Sequence, residues 1–119
     1  MSPPVVLFAG GGTGGHVFPL IAVADAMRAM ADVRIVYVGT SRGMETRVLP
    51  ARGDELELLE VRPIKGQGVL GGARGIWSAA ATLPRARQIV SRLSPRAVLA
   101  IGGYAAGPVG LVAGLSRVP

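Results

Sequence analysis

Apolar and polar positions along this chain fall into blocks with two spacings. Val5–Ala9 (VVLFA) is an unbroken apolar run, short enough to read as a strand buried on both faces. Phe18 to Met30 follows helical spacing, and Pro19 suits a first turn, where no backbone N–H is needed. Val33–Val38 (VRIVYV) is β-branched and predicts a second strand. A loop over Gly39–Gly43 leads to a short helix over Met44–Ala51, with Pro50 near its end. Glu55–Val61 alternates polar and apolar positions, as an edge or half-buried strand does. Residues 62–75 are glycine-rich and basic, which predicts a long mobile loop. Ile76 to Leu93 is helix-like, interrupted or kinked at Pro84. Ala97–Ile101 predicts another buried strand, Gly102–Gly107 a second glycine loop, and Pro108–Leu115 a helix with Pro at its first position.

Strands alternating with helices imply a parallel sheet covered on both faces. With right-handed crossovers this is an α/β, Rossmann-like doubly wound domain over residues 1–119. Both glycine loops then lie at the carboxyl ends of strands, where such sheets bind ligands. Ser116–Pro119 reads as the approach to another strand, so the chain is expected to be part of a longer protein.

Composition narrows the chemistry. Half of the residues are apolar and none is Cys, so a packed domain is expected, with no disulfide framework and no thiolate metal site. A lone His without a carboxylate cluster argues against zinc. The N-terminus has no basic leader, and no apolar run reaches the ~18 residues of a membrane span, so a cytoplasmic protein is expected. Charge is divided unevenly. Residues 1–60 sum to −2, whereas residues 61–119 carry seven Arg, one Lys and no acid. The second half is therefore either a solvated basic face or a surface for an anionic partner. Nucleic acid is disfavoured, because only 4% of residues are aromatic and stacking platforms are scarce.

Residues 9–19 (AGGGTGGHVFP) carry the most specific signal. Bare backbone N–H groups followed by a helix N-terminus form a phosphate cradle. Gly10-x-Gly12-x-x-Gly15 matches the dinucleotide pattern, but the second strand ends Val38-Gly39-Thr40 without the acid that would hold a ribose. Asp32 lies at its wrong end, and GxxxxGK[ST] is absent. Thr13 adds a hydroxyl donor, and Gly14 and Gly15 leave room for a close phosphate or sugar contact. His16 is a candidate general base, a cation beside a pyrophosphate, or an ordinary helix-start residue. Gly102-Gly103-Tyr104 repeats the strand–glycine–helix logic, and two such loops on one edge suit a diphosphate. Val69, Leu70, Ile76 and Trp77, flanked by Lys65, Arg74, Arg85 and Arg87, fit either an anionic bilayer surface or a core edged by solvated arginines.

Together AGGGTGGHVFPLIAVADAM, VGTSRGMETRVLP and IGGYAAGPVGLVA resemble the N-terminal half of the MurG family of bacterial glycosyltransferases, over essentially the whole chain. That family moves N-acetylglucosamine from UDP-N-acetylglucosamine to lipid I (undecaprenyl-pyrophosphoryl-muramoyl-pentapeptide), forming lipid II. The resemblance implies the acceptor-binding half of a GT-B fold, peripheral on the cytoplasmic face of the bacterial membrane, with no cofactor and no metal. It implies UDP-sugar contacts at Thr13, Gly14 and Gly15 and a lipid diphosphate held by Gly11–Gly14 (with Gly12 and Thr13) and Gly102–Tyr104. It implies a catalytic part for His16 and a membrane patch at Lys65, Val69, Leu70, Arg74, Ile76, Trp77 and Arg85. The family's C-terminal donor-binding domain is absent, so activity of this chain alone is not expected. A standalone, membrane-recruited acceptor-binding subunit of a split GT-B enzyme is the alternative.

Overall fold

The structure is a computed structural model that describes residues 2–10, 14–41, 43–59, 82–101 and 106–119. The elements run β1 (Val5–Ala9), α1 (Gly14–Met30), β2 (Arg34–Thr40), α2 (Glu45–Arg52), β3 (Glu55–Leu59), α3 (Leu83–Leu93), β4 (Ala97–Ala100) and α4 (Ala106–Leu115). The four strands form one sheet in the order β3-β2-β1-β4. Every pairing is parallel, with Leu7 opposite Val36 on one side and Val98 on the other. This is the α/β, doubly wound arrangement expected from the strand–helix alternation.

The sheet is buried on both faces because its central strands carry apolar residues at odd and even positions alike. Val5, Leu7 and Ala9 of β1 join Val36 and Val38 of β2 against Ala86, Ile89 and Val90 of α3 and Val109 and Val112 of α4. Val6 and Phe8 join Ile35 and Tyr37 against Val17, Leu20, Ile21 and Ala24 of α1 and Leu49 of α2. Phe8 and Tyr37 meet edge-on, with ring centroids 5.9 Å apart at 88°. Each fully buried large aliphatic or aromatic side chain contributes about 1.5–3 kcal/mol of transfer free energy.

Several boundaries differ from those read in the sequence. Helix α1 starts at Gly14 rather than Phe18, so Pro19 lies inside the helix, beyond its first turn. Proline has no N–H to give the carbonyl four residues back, so the Gly15 carbonyl loses its helical partner. Strand β2 continues through Gly39 and Thr40, which pair with Leu58 and Leu59 of β3. Pro84 does not kink a long helix among the described residues; it lies in the first turn of α3, where its missing N–H costs nothing. Strand β4 is half-buried rather than buried, because among the described strands only β1 pairs with it. On its other side Val98 N–H donates to the Pro119 carbonyl at 2.7 Å. Residues 62–75 and the 76–81 part of the expected helix lie outside the described residues.

Candidate functional site at the carboxyl rim of the sheet

The strand order places a topological switch between β1 and β4. Helix α1, which follows β1, packs on one face, and α4, which follows β4, packs on the other. Adjacent parallel strands whose connections leave to opposite faces open a crevice at their carboxyl ends, the ligand position in doubly wound sheets. The crevice is bounded by the last strand pair, Ala9 with Ala100. Gly10 N–H donates to the Val38 carbonyl (3.2 Å) and Ile101 N–H to the Ala9 carbonyl (2.9 Å). The two strands that the glycine segments follow in sequence, β1 and β4, both end at this crevice.

Two helix N-termini begin there, α1 at Gly14 and α4 at Ala106, and neither has an acid in its first turn. The partial positive charge at each end is therefore not cancelled by a side chain of that helix. Helix α2 differs, since Glu45 occupies its first turn.

Glu45 is the residue that reading along the chain missed. Strand β2 does have an acid at its carboxyl end, five positions past Thr40 in sequence and folded back onto it. Its Oε1 accepts hydrogen bonds from the Thr40 N–H at 2.7 Å and the Thr40 hydroxyl at 3.3 Å. The residue is 1% exposed, so this carboxylate faces inward and does not present itself to a ribose. A Cβ at Gly39 would stand 2.4 Å from Glu45 Cγ, and one at Gly43 would stand 2.0 Å from its Oε2. No contiguous motif after β2 marks this residue; the glycines on either side of residues 40–42 are the signal the sequence carries.

Of the residues singled out in the sequence, Gly14, Gly15 and His16 form the first turn of α1, so their backbone lies at the crevice. Arg85 lies in the first turn of α3 with its guanidinium on Glu57 (3.0 Å) and Gln88 (3.0 Å). Arg92 also pairs with Glu57. Arg87 makes no ion pair among the described residues and borders an apolar depression formed by Leu83, Pro84, Val112 and Leu115, about 430 Å³ in volume. Gly11, Gly12, Thr13, Lys65, Val69, Leu70, Arg74, Ile76, Trp77, Gly102, Gly103 and Tyr104 lie outside the described residues. Among the described residues no group of three or more His, Cys, Asp or Glu could hold a metal, and no helix is long and apolar enough to cross a membrane.

The fold and the rim define a doubly wound α/β domain with a switch-point crevice at the carboxyl end of its sheet. Residues 6–119 match the glycosyltransferase family 28 N-terminal domain, and the chain belongs to that family. It is 57% identical over 117 residues to the UDP-N-acetylglucosamine--N-acetylmuramyl-(pentapeptide) pyrophosphoryl-undecaprenol N-acetylglucosamine transferase of Sorangium cellulosum, covering 96% of this chain and 29% of that protein. The transferase of the same name from Alkalilimnicola ehrlichii is 45% identical, over 100% of this chain and 33% of its own. The chain thus spans about a third of the length of the curated relatives it matches. The crystal structure of MurG from Acinetobacter baumannii superposes with a TM-score of 0.82 at 32% identity, over 98% of this chain and 34% of that one. Phytolacca americana UGT2, solved with UDP-2-fluoroglucose and pterostilbene, superposes at 0.66 and 16% identity over 100% of this chain and 30% of its own, a likeness of fold alone.

Proposed function

We propose that this chain is the acceptor-binding domain of an inverting glycosyltransferase that moves N-acetylglucosamine from UDP-N-acetylglucosamine to lipid I. The observation that carries this reading is the crevice between β1 and β4, faced by two helix N-termini without acids. The names of the relatives supply the substrates.

The crevice suits an acceptor diphosphate. The N-termini of α1 and α4 would offer backbone N–H donors and positive potential there without a metal. In the reaction the acceptor hydroxyl attacks the anomeric carbon, the carbon–oxygen bond to UDP breaks, and UDP leaves with the electron pair. The hydroxyl proton passes to a base. His16 is assigned that role by its place in the first turn of α1; a phosphate contact is its alternative use. Thr13, Gly14 and Gly15 are assigned to the UDP-sugar, and Gly11, Gly12, Thr13, Gly14, Gly102, Gly103 and Tyr104 to the acceptor diphosphate. The rest of the donor site belongs to sequence outside this chain.

Lys65, Val69, Leu70, Arg74, Ile76, Trp77 and Arg85 are assigned to a membrane patch, and Arg87 beside Leu83, Val112 and Leu115 offers a cation on apolar surface of the same character. The enzyme would then lie peripherally on the cytoplasmic face of the membrane, where its lipid acceptor is anchored.

Titration of the chain with a soluble, short-prenyl lipid I analogue tests the reading, with binding expected at millimolar concentration or below. Absence of saturation there refutes it. The remainder of the Sorangium cellulosum relative, supplied in trans, is expected to restore transfer, and His16→Ala to abolish it. Binding to anionic vesicles is expected to fall with salt and to be weak on neutral ones. Equal binding to both would remove the electrostatic part.

A further inference from the structure

We infer that Glu45 is a positioning residue of the ligand rim, whose buried carboxylate fixes the carboxyl end of β2 beside Ala9 and Gly10, where β1 ends. This role rests on the proposed diphosphate groove. Three observations support it. The carboxylate is almost wholly buried yet spends Oε1 on the Thr40 backbone N–H and hydroxyl. Two glycines make room for it, and a Cβ at either would collide with its side chain. The turn it grips is otherwise closed by the Gly43 N–H on the Thr40 carbonyl at 3.2 Å.

Stability alone is a poor reason for this arrangement. Burying a carboxylate carries a desolvation cost that a well-packed apolar side chain avoids, and Gly39 and Gly43 add backbone entropy to the cost of folding. The return is geometric. Ala9 lies opposite Val38 in the register, and Gly10 N–H bonds the Val38 carbonyl. Thr40, two residues further along β2, therefore flanks the rim where the first glycine segment leaves β1. Holding Thr40 in one place holds the β2 side of the end of β1, and so the strand that separates β2 from the crevice. The helix dipole of α2 favours the anion at this position, since Glu45 stands in its first turn.

The test uses the 119-residue chain carrying Glu45→Gln, Glu45→Ala or Gly43→Ala, with Val90→Ala as a stability-matched control on the opposite face of the sheet. Affinity for the short-prenyl lipid I analogue and amide hydrogen exchange at Gly10 and Thr40 are measured under folding conditions. Glu45→Ala is expected to weaken binding about tenfold or more and to speed exchange at both amides. Glu45→Gln, which keeps a carbonyl acceptor, should fall between it and the parent, and Val90→Ala should leave affinity within about twofold while losing stability. If Glu45→Ala does not fold, Glu45→Gln and Gly43→Ala carry the test. Parental affinity in a folded Glu45 or Gly43 variant overturns the positioning role and leaves the diphosphate reading standing. A parent chain that does not bind the analogue overturns that reading instead. Unchanged exchange at Gly10 in Glu45→Gln overturns the positioning role whatever the analogue does.

Discussion

The two ends of the parallel sheet treat charge in opposite ways. At the amino end, where β2 and β3 begin and α1 and α2 finish, charges are matched. Arg52 reaches Asp25 (2.8 Å) and Asp54 (2.9 Å), Arg28 reaches the same two acids (3.4 and 3.2 Å), and Arg34 grips both oxygens of Glu55. At the carboxyl end the N-termini of α1, α3 and α4 have no acid in the first turn, and Glu45, in the first turn of α2, is turned inward onto backbone. Under the proposed function, charge is cancelled at the end that only supports the fold, and field is left uncancelled at the end proposed to meet an anionic ligand.

The largest break in this contrast comes from putting an acid at the open end. Gly14→Asp places a carboxylate at the start of α1, and affinity for the lipid I analogue is expected to fall about a hundredfold, like charges at an interface costing several kcal/mol. Isothermal titration reads it, and a change below about threefold would deny the crevice its electrostatic role. Next comes Asp54→Ala at the matched end. Asp54 is 8% exposed and serves two guanidinium groups, so its loss is expected to cost about 1–3 kcal/mol in urea unfolding. Analogue affinity in the folded protein should stay put; a drop there would mean that the two ends are coupled.

Smaller effects sharpen the comparison. Ser94 closes α3 with φ 46°, its N–H on the Val90 carbonyl, a left-handed position that favours glycine. Ser94→Gly is expected to raise stability by about 0.5–1 kcal/mol, read as a shift of the thermal midpoint. The Arg34–Glu55 pair is smaller still. The Arg34 hydrogen bonds hold the Glu55 carboxyl below its usual range. A lowered folded-state value means that the contribution is complete above about pH 4.3, the unfolded value, and is lost as pH falls through the folded one. Both side chains are about half exposed, 46% and 49%, so Arg34→Gln should cost less than about 1 kcal/mol, and less again at high salt. A steeper loss would show the pair to be more shielded than its exposure implies.

Much of this architecture is legible in the sequence because its signals are local. VVLFA and VRIVYV read as strands because a parallel sheet buried on both faces demands unbroken apolar runs. The alternation in Glu55–Leu59 marks an edge because one side of that strand meets solvent. What escaped was set by tertiary partners. Thr40 joins β2 because Leu59 lies beside it, which no propensity at Gly39-Thr40 announces. Pro19 resembles a first-turn proline only when Gly14 and Gly15 are assigned to the loop. Ala97–Ala100 has the composition of a buried strand, and its half-exposure depends on what flanks it. At the site the glycine segments are conspicuous because backbone approach leaves a compositional mark. Glu45 leaves none, since its importance arises when a turn brings it back to Thr40.

The central position of β1 also has a consequence for synthesis. Val6 pairs with Ile35 on one side and with Ala97 on the other. A nascent chain leaving the ribosome at about 5–20 residues per second can form the first ladder early but must wait several seconds for the second. For that interval VVLFA exposes an unpaired apolar edge of the kind that seeds aggregation. Early docking of α1 onto Val6 and Phe8 would shield one face but not that edge. The protein's exposure to misfolding is therefore set by how late β4 is translated, and a chaperone that engages the first forty or so residues would protect the most vulnerable strand.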